Sequence, residues 1–166
     1  MKQEIEKKYL LRENGIGYET YAVPSLFPGR GIKIKQGYLQ KQDLDALCAE
    51  IQYKPEFEVN EARLRQEGLD FIFTLKGKGD IQRDEENIAL SYVLFEKYWP
   101  KTEGARVEKV RVRPSERREV EIDVYTDRDL VIAEIEVPTL EEAKKLVPLG
   151  KDVTEDERYK NRNLAR

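Results

Sequence analysis

The chain has 166 residues, of which 39% are hydrophobic, and this is enough to fill one globular core. Its 30 Lys and Arg residues against 33 Asp and Glu residues give a formal net charge of −3, which argues against a polybasic nucleic-acid-binding protein. Charged residues make up 38% of the chain, compared with roughly 25% in ordinary globular domains. The positions of these charges are therefore the main feature to be explained.

The sequence contains no histidine, which excludes Ser-His-Asp and Cys-His catalysis and every histidine-ligated metal site. The single cysteine, Cys48, excludes a disulfide framework and suits a reducing compartment. A bound metal would have to be a hard cation such as Mg²⁺ or Mn²⁺, held by carboxylate oxygens. No segment approaches the roughly 20 apolar residues of a membrane-spanning helix, and the charged N-terminus does not resemble a signal peptide. We therefore expect a cytoplasmic protein without a membrane partner.

Alternation of polar and apolar residues is the commonest pattern in the chain, and it predicts an antiparallel β-domain. The predicted strands lie at about 3–12, 31–40, 57–66, 70–77, 80–86, 106–113, 117–126 and 130–137. Turn signals separate several of them, including Gly77 to Gly79 and Pro114 with Ser115. Stripes of apolar residues at helical spacing predict helices at about 42–52, 88–98 and 139–147. The polar tail from Lys151 is expected to lie against the body of a single domain spanning residues 1–166.

The charged residues of these strands fall on one side of each strand, because residues i, i+2 and i+4 point the same way. The resulting sets are Glu4, Glu6 and Lys8; Arg63 and Arg65; Thr74 and Lys76; Arg83 and Glu85; Lys109, Arg111 and Arg113; Glu119, Glu121 and Asp123; and Glu134 and Glu136.

Two architectures explain these charged faces. In the first, the charged faces are the solvent-exposed faces of a β-sandwich. In the second, the charged faces line the inside of a closed eight-stranded barrel whose apolar outer faces are covered by helices. Whole strands carry one sign of charge, whereas an ordinary surface mixes the signs. A charged interior is costly to keep dry, so a barrel of this kind would have to hold water, metal ions and a polyanion.

An ordered series of motifs resembles the CYTH domain, or triphosphate tunnel metalloenzyme, family. The series opens with Glu4-Ile5-Glu6-Lys7-Lys8, the E-x-E-x-K signature of that family. It continues with Gln36-Gly37-Tyr38-Leu39, Arg63-x-Arg65, Thr74-Leu75-Lys76-Gly77, Arg83-x-Glu85, Lys109-x-Arg111, Glu121-Ile122-Asp123 and Glu134-Ile135-Glu136. The match spans residues 4–165, nearly the whole chain.

The resemblance implies a closed eight-stranded antiparallel β-barrel tunnel with peripheral helices, in a mainly β (α+β) fold. It also implies a small-molecule triphosphate substrate bound with Mg²⁺ or Mn²⁺. The short bacterial members look most like inorganic triphosphatases, which makes hydrolysis of inorganic triphosphate the leading expectation. Adenylate cyclase, thiamine or nucleoside triphosphatase activity and a non-catalytic polyphosphate or nucleotide sensor are the alternatives. RNA binding by the basic segment 106–118 fits poorly, because repeated exposed aromatics are lacking. The oligomeric state, monomer or homodimer, is left open.

Under this resemblance we assign roles to the charged residues. The phosphates would be bound by Lys8, Arg63, Arg65, Lys76, Arg83, Lys109 and Arg111. The metal ions would be held by Glu4, Glu6, Asp123, Glu134 and Glu136. Catalytic roles are expected for Glu4, Glu6, Lys8 and Glu85. Glu4 and Glu6 could instead only cross-link to a neighbouring basic strand.

Two features depart from the family pattern. The fifth strand of the family usually carries a second glutamate, two residues after the one that corresponds to Glu85. Here that position is Asn87, which puts a metal or water contact there in doubt. The helical stretch 42–52 lengthens the connection between the second and third strands. It could be a lid or an interaction surface, but its stripe of Leu44, Leu47 and Ile51 favours core packing. Aromatic residues such as Tyr38 are expected in the core.

Overall fold

The structure is a computed structural model that describes residues 2–20, 31–114 and 117–166. Its strands are β1 (Lys2–Glu13), β2 (Ile16–Gly17), β3 (Ile32–Tyr38), β4 (Glu61–Glu67), β5 (Asp70–Lys76), β6 (Gln82–Ala89), β7 (Arg106–Val112), β8 (Val120–Tyr125), β9 (Leu130–Glu136) and β10 (Lys151–Asp152). Its α-helices are α1 (Lys41–Glu50), α2 (Tyr92–Tyr98), α3 (Leu140–Lys145) and α4 (Asn161–Leu164). Short 3₁₀ helices cover Trp99–Thr102 and Glu157–Tyr159. Ser115 of the predicted turn lies outside the described residues.

Eight antiparallel strands close into a barrel. Their order around it is β1, β6, β5, β4, β3, β7, β8 and β9, and pairing of β1 with β9 joins the two ends. The short strands β2 and β10 pair with β1 outside this ring. The prediction of a closed eight-stranded antiparallel barrel in a mainly β fold is therefore confirmed.

The outer face of the barrel is apolar and carries the helices. Leu47 of α1 and Phe95 of α2 are fully buried, and they belong to one cluster with Leu64, Phe73 and Leu75 of the sheet. Those strand residues alternate with charged ones, so the opposite side of the same strands faces the barrel interior. None of the helices in the described ranges is both long enough and apolar enough to cross a membrane.

The opposite side of the barrel is covered by the chain's C-terminal part. Leu149 packs on Tyr9 and Ile135, while Val153 and Tyr159 pack in a further cluster around Leu10 and Tyr125. Both residues of the short strand β10 pair with β1. The tail therefore lies against the body, as predicted.

Several boundaries differ from the predictions by a few residues. The strand expected from residue 57 begins at Glu61, because Phe57 and Val59 pack against the apolar cluster without strand pairing. The helix expected from residue 88 begins at Tyr92, since residues 88 and 89 still pair with β5. The hydroxyl of Ser91 accepts a hydrogen bond from Leu94 N (3.2 Å) and so fixes the start of α2. The third helix begins after its Thr139 cap as expected, and it ends at Lys145.

Candidate active site in the barrel interior

The barrel encloses a polar cavity of about 350 Å³. Its lining consists of Lys2, Glu4, Glu6, Lys8, Tyr38, Glu61, Arg63, Arg65, Glu67, Ile72, Thr74, Lys76, Arg83, Glu85, Asn87, Arg111, Arg113, Glu121, Glu134, Glu136, Lys160 and Asn161. Eleven of the thirteen predicted site residues are in this set, and Lys109 and Asp123 are not. The structure therefore brings most of the predicted charges together inside one enclosure.

Acids and arginines occupy opposite walls of the cavity. In β1 and β9, Glu6 pairs with Glu136 and Lys8 pairs with Glu134, so these carboxylates are neighbours on adjoining strands. Arg63 and Arg65 lie on β4, which is four strands from β9 in either direction around the eight-stranded ring. The cavity thus has an acidic wall and a basic wall that face each other.

Lysines pair with most of the carboxylates of the acidic wall. Lys76 Nζ lies 2.9 Å from Glu4 Oε2 and 3.4 Å from Glu85 Oε2. Lys8 Nζ lies 3.7 Å from Glu134 Oε1 and donates a hydrogen bond to the carbonyl of Tyr159 (3.1 Å). At the mouth of the cavity, Lys2 Nζ lies 3.3 Å from both Glu85 and Glu136.

Glu6 differs from the other acids of this wall because it forms no ion pair with any of the described residues. Burial, followed by the charges of Glu134 and Glu4, raises the pKa of Glu6 well above its usual value. Burial alone would also raise the pKa of Glu85, but the charge of Lys76 and hydrogen bonds lower it to about 2. Negative charge is therefore least compensated around Glu6.

The basic wall carries uncompensated positive charge. Burial, and then repulsion by Arg63 and Arg111, lowers the pKa of Arg65 to about 10. Arg63 donates from Nη2 to Thr74 Oγ1 (3.2 Å), and its buried Nε has no hydrogen-bond partner among the described residues. Buried donors without partners are uncommon, and they mark a position where an acceptor can bind.

Lys109 and Asp123 point into the barrel but are not among the residues that line the cavity, and they pair with each other. Arg111 donates from Nε and Nη2 to the two oxygens of Asp123 (2.8 and 3.0 Å), and Lys109 Nζ lies 2.6 Å from Asp123 Oδ2. Both Asp123 oxygens are thus occupied, and the side chains of Asp123 and Lys109 are fully buried. The predicted roles of Asp123 as a metal ligand and Lys109 as a phosphate ligand stay predictions, since neither residue lines the cavity. The two hydrogen bonds from Arg111 to Asp123 orient the Arg111 guanidinium.

Several lining residues were missed by the charge pattern, among them Tyr38, Glu61, Lys160 and Asn161. In β3 the inward side is the one that carries Ile34, Gln36 and Tyr38, while the lysines of this strand point outward. Strand register could have identified Tyr38, because it lies directly opposite Arg63 in the β3–β4 pair. Directly opposed residues of an antiparallel pair point to the same side of the sheet.

Asn87 makes two directional hydrogen bonds at the cavity mouth. Its Oδ1 accepts from Thr74 Oγ1 (2.7 Å), and its Nδ2 donates to Glu85 Oε1 (2.8 Å). Because Thr74 in turn accepts from Arg63, a chain of hydrogen bonds connects Arg63 to Glu85. A glutamate at position 87 could not donate to Glu85.

The donor set of the acidic wall suits Mg²⁺ or Mn²⁺ in its chemistry, since it consists only of carboxylate oxygens. The raised pKa of Glu6 reports a concentration of negative charge that a divalent cation would offset. No group of three or more acidic side chains in the described part of the chain already has the geometry of a metal site. The fit therefore rests on donor chemistry and charge.

A second groove, of about 640 Å³, lies beside the barrel between α1 and residues 54–62. It shares Tyr38 and Glu61 with the barrel cavity, but its other walls include Leu44, Phe57 and Val59. Its lining lacks Arg63, Arg65 and the carboxylates of β1 and β9. A highly charged ligand therefore fits the barrel cavity better.

Comparisons with known proteins agree with this site. No family model matches the chain. A curated inorganic triphosphatase of Nitrosomonas europaea is 35% identical over 169 residues, which covers 98% of this chain and 96% of that protein. A crystal structure of the inorganic triphosphatase NE1496 has a TM-score of 0.57 and 31% identity, and covers 98% of this chain and 97% of that one. A second crystal structure, of the hypothetical protein NE1496, gives the same TM-score and coverage with 32% identity.

The identity to this triphosphatase extends over nearly the full length of both proteins, and the motifs that resemble the CYTH family lie on the strands that build the cavity. The chain therefore belongs to the family of CYTH-type inorganic triphosphatases.

Proposed function

We propose that the chain hydrolyses inorganic triphosphate to pyrophosphate and phosphate, with Mg²⁺ or Mn²⁺ bound in the barrel. The observation that carries this proposal is the opposition of Arg63 and Arg65 to Glu6 and Glu134 across one cavity of about 350 Å³. A bound polyanion would compensate the arginines, and divalent cations would compensate the acids.

The phosphate oxygens would be bound mainly by Arg63 and Arg65. A guanidinium group donates parallel hydrogen bonds that match the spacing of phosphate oxygens. The lysines of the acidic wall reach the same cavity on flexible side chains, so Lys8 and Lys76 can donate to phosphate when their carboxylates gain another cation. Arg83, which lies 3.6 Å from Glu4, belongs to the same group.

The metal ions would be held by Glu4, Glu6, Glu134 and Glu136. A bound divalent cation supplies charge neutralisation on the phosphate chain and lowers the pKa of a bound water molecule. Glu85 stays ionised because its pKa is about 2, and it can accept a hydrogen bond from water without removing the proton completely. Phosphoryl transfer depends mostly on positioning and charge stabilisation, so the absence of histidine is no obstacle.

The direct test measures phosphate release from inorganic triphosphate with Mg²⁺, with Mn²⁺ and with EDTA. We expect release with either metal and none with EDTA. ATP incubated under the same conditions and analysed for cyclic AMP tests the cyclase alternative. Tight calorimetric binding of triphosphate in a folded sample that never releases phosphate would replace hydrolysis by the sensor function.

Arg63→Ala provides a matched variant for the substrate-binding wall. We expect it to raise the KM for triphosphate by about tenfold or more, because one charge-assisted contact is lost. Lys33→Ala, on the outward side of β3, is the control and should leave the KM unchanged. Equal effects of the two variants would show that the barrel interior does not bind the substrate.

A further inference from the structure

Gln36 is a fully buried polar residue of β3, and it belongs to the Gln36-Gly37-Tyr38-Leu39 motif. Its Oε1 accepts two hydrogen bonds from Arg65, from Nε at 3.1 Å and from Nη2 at 2.9 Å. Its Nε2 donates to the hydroxyl of Tyr38 at 2.9 Å. The orientation of the amide follows from chemistry, because a guanidinium group can only donate and must therefore face the carbonyl oxygen.

The amide holds Arg65 without cancelling its charge. The contrast is Arg111, whose guanidinium is held by the carboxylate of Asp123 through two hydrogen bonds. The only carboxylate within ion-pair distance of Arg65 in the described residues is Glu67, at 3.7 Å from Nη1. Arg65 is thus fixed in place while most of its charge stays available to a ligand.

The same amide orients Tyr38. Because the Tyr38 oxygen accepts a hydrogen bond from Gln36 Nε2, its own O–H is directed away from the amide. Tyr38 lines the cavity, and no group among residues 2–20, 31–114 and 117–166 accepts its hydroxyl proton. Burial, and then the charge of Glu61, raises the pKa of Tyr38, so the hydroxyl remains a donor.

We propose that Gln36 is a positioning residue for substrate binding, which holds Arg65 and Tyr38 as two oriented donors toward one phosphate group. Its neutrality is the essential property, since an acidic residue at this place would hold Arg65 equally well but neutralise it. The proposal rests on the proposed function, because it deepens the account of the same site. It assigns two further residues, Gln36 and Tyr38, to the binding of the phosphate chain.

The test uses the nearly isosteric variants Gln36→Glu and Gln36→Met, with Gln66→Glu as control. Gln66 lies on β4 and bonds the carbonyl of Gly68 outside the cavity, so this control adds the same charge to the neighbouring strand. We expect Gln36→Glu to raise the KM for triphosphate by about tenfold or more and to change kcat by less than about threefold. Gln36→Met, which frees Arg65 without adding charge, should raise the KM less. The control Gln66→Glu should have the KM and kcat of the wild type.

Thermal unfolding separates this role from a purely structural one. Gln36→Glu adds an ion pair to Arg65, so its melting temperature should equal or exceed that of the wild type while its KM rises. A KM for Gln36→Glu within twofold of the wild-type value overturns the proposal. If Gln36→Glu does not fold, Gln36→Met tests the proposal in its place. A KM for Gln36→Met equal to that of the wild type likewise overturns the proposal.

Calorimetry with inorganic triphosphate in EDTA distinguishes failure of this inference from failure of the proposed function. Wild-type protein that binds triphosphate in EDTA but releases no phosphate when Mg²⁺ or Mn²⁺ is added, together with weaker binding by Gln36→Glu, would contradict hydrolysis but support the role of Gln36. Equal binding by all variants, with or without turnover, would contradict the role of Gln36.

Discussion

Lys109 Nζ lies 2.6 Å from Asp123 Oδ2, and neither side chain has any exposure to solvent. Burial lowers the pKa of Lys109 to about 8 despite the attraction of Asp123. The charges of Lys109 and Arg111 outweigh the effect of burial on Asp123 and lower its pKa to about 2. Asp123 is thus the anion on which two buried cations depend.

Asp123→Ala should lower the free energy of unfolding by about 3–5 kcal/mol, because it leaves Lys109 buried without its counterion and leaves Arg111 paired with Glu121 alone. Urea unfolding without metal measures this loss. Asp123→Asn keeps the shape of the side chain and one acceptor, so it should lower the free energy of unfolding by less than Asp123→Ala does. Titration of Asp123→Asn with Mn²⁺ should give the wild-type affinity, whereas a large loss of Mn²⁺ affinity would restore Asp123 to the metal ligands.

Sequence alternation identified the strands and the side of each that faces inward, but it carries no information on depth. Lys109 and Arg111 share one side of β7, and the pattern treats them alike. The register places Lys109 opposite Tyr125 and Arg111 opposite Asp123. Only the cavity lining and the burial show that Arg111 reaches the cavity while Lys109 does not.

The rule that the charged side of a strand faces the barrel interior does not hold for β3, because the charged side of β3 is the outer one. Lys35 stacks over the ring of Trp99, with Nζ 4.6 Å from the ring centroid, on the outside of the barrel. The inward side carries Gln36 and Tyr38, whose polar atoms interact with arginines of β4 instead of solvent. Polar but uncharged residues give a weak signal in a search for charged faces, and this is why Tyr38 was assigned to the core.

Glu6→Gln should abolish triphosphate hydrolysis and leave the metal-free protein as stable as the wild type, or more so. The substitution removes a charge that burial and the neighbouring Glu134 and Glu4 disfavour. Glu85→Gln is the matched comparison, and it should lower the melting temperature because it loses contacts with Lys76 and Lys2.

Phosphate release and thermal unfolding in EDTA measure both variants. Loss of stability in Glu6→Gln that equals the loss in Glu85→Gln would show that Glu6 is a structural cross-link, the alternative left open by the sequence.

Asn87→Glu should reduce activity and not increase it, although glutamate is the usual residue of the family there. The new carboxylate would repel Glu85 and could not replace the 2.8 Å hydrogen bond from the amide. We expect a stability loss of about 1 kcal/mol, typical of one hydrogen bond. Asn87→Gln, which keeps an amide, is the control. A higher kcat in Asn87→Glu would show that the family's glutamate supplies a function that this chain lacks.

Stability should fall as the pH is lowered from about 4.5 to 2. Glu85 and Asp123 have pKa values of about 2 in the folded protein, below their usual values of 4.5 and 3.8. The unfolded chain therefore binds protons first as the pH falls, and the stability present above pH 4.5 is lost. Glu6, whose pKa is raised, has the opposite effect, but Glu134 and Glu61, whose pKa values are also lowered, act in the same direction as Glu85 and Asp123.

Melting temperatures in metal-free buffer between pH 6 and pH 3 measure this dependence, and a decrease of about 5–10 °C is expected. Glu85→Gln should show a shallower decrease than the wild type because it lacks one of the groups whose pKa is lowered in the folded protein. An identical slope in the two proteins would show that Glu85 does not contribute to the acid sensitivity.

Leu47→Ala should lower the free energy of unfolding by about 2–5 kcal/mol and leave the KM for triphosphate unchanged. Leu47 of α1 is fully buried against the outside of the barrel, in the cluster that contains Phe73 and Phe95. The helix that lengthens this connection therefore covers the core and does not enter the cavity. Asp45→Ala, on the exposed side of the same helix, is the control for stability. Urea unfolding and steady-state kinetics measure both variants, and a raised KM in Leu47→Ala at a temperature where it is fully folded would instead assign α1 to the substrate site.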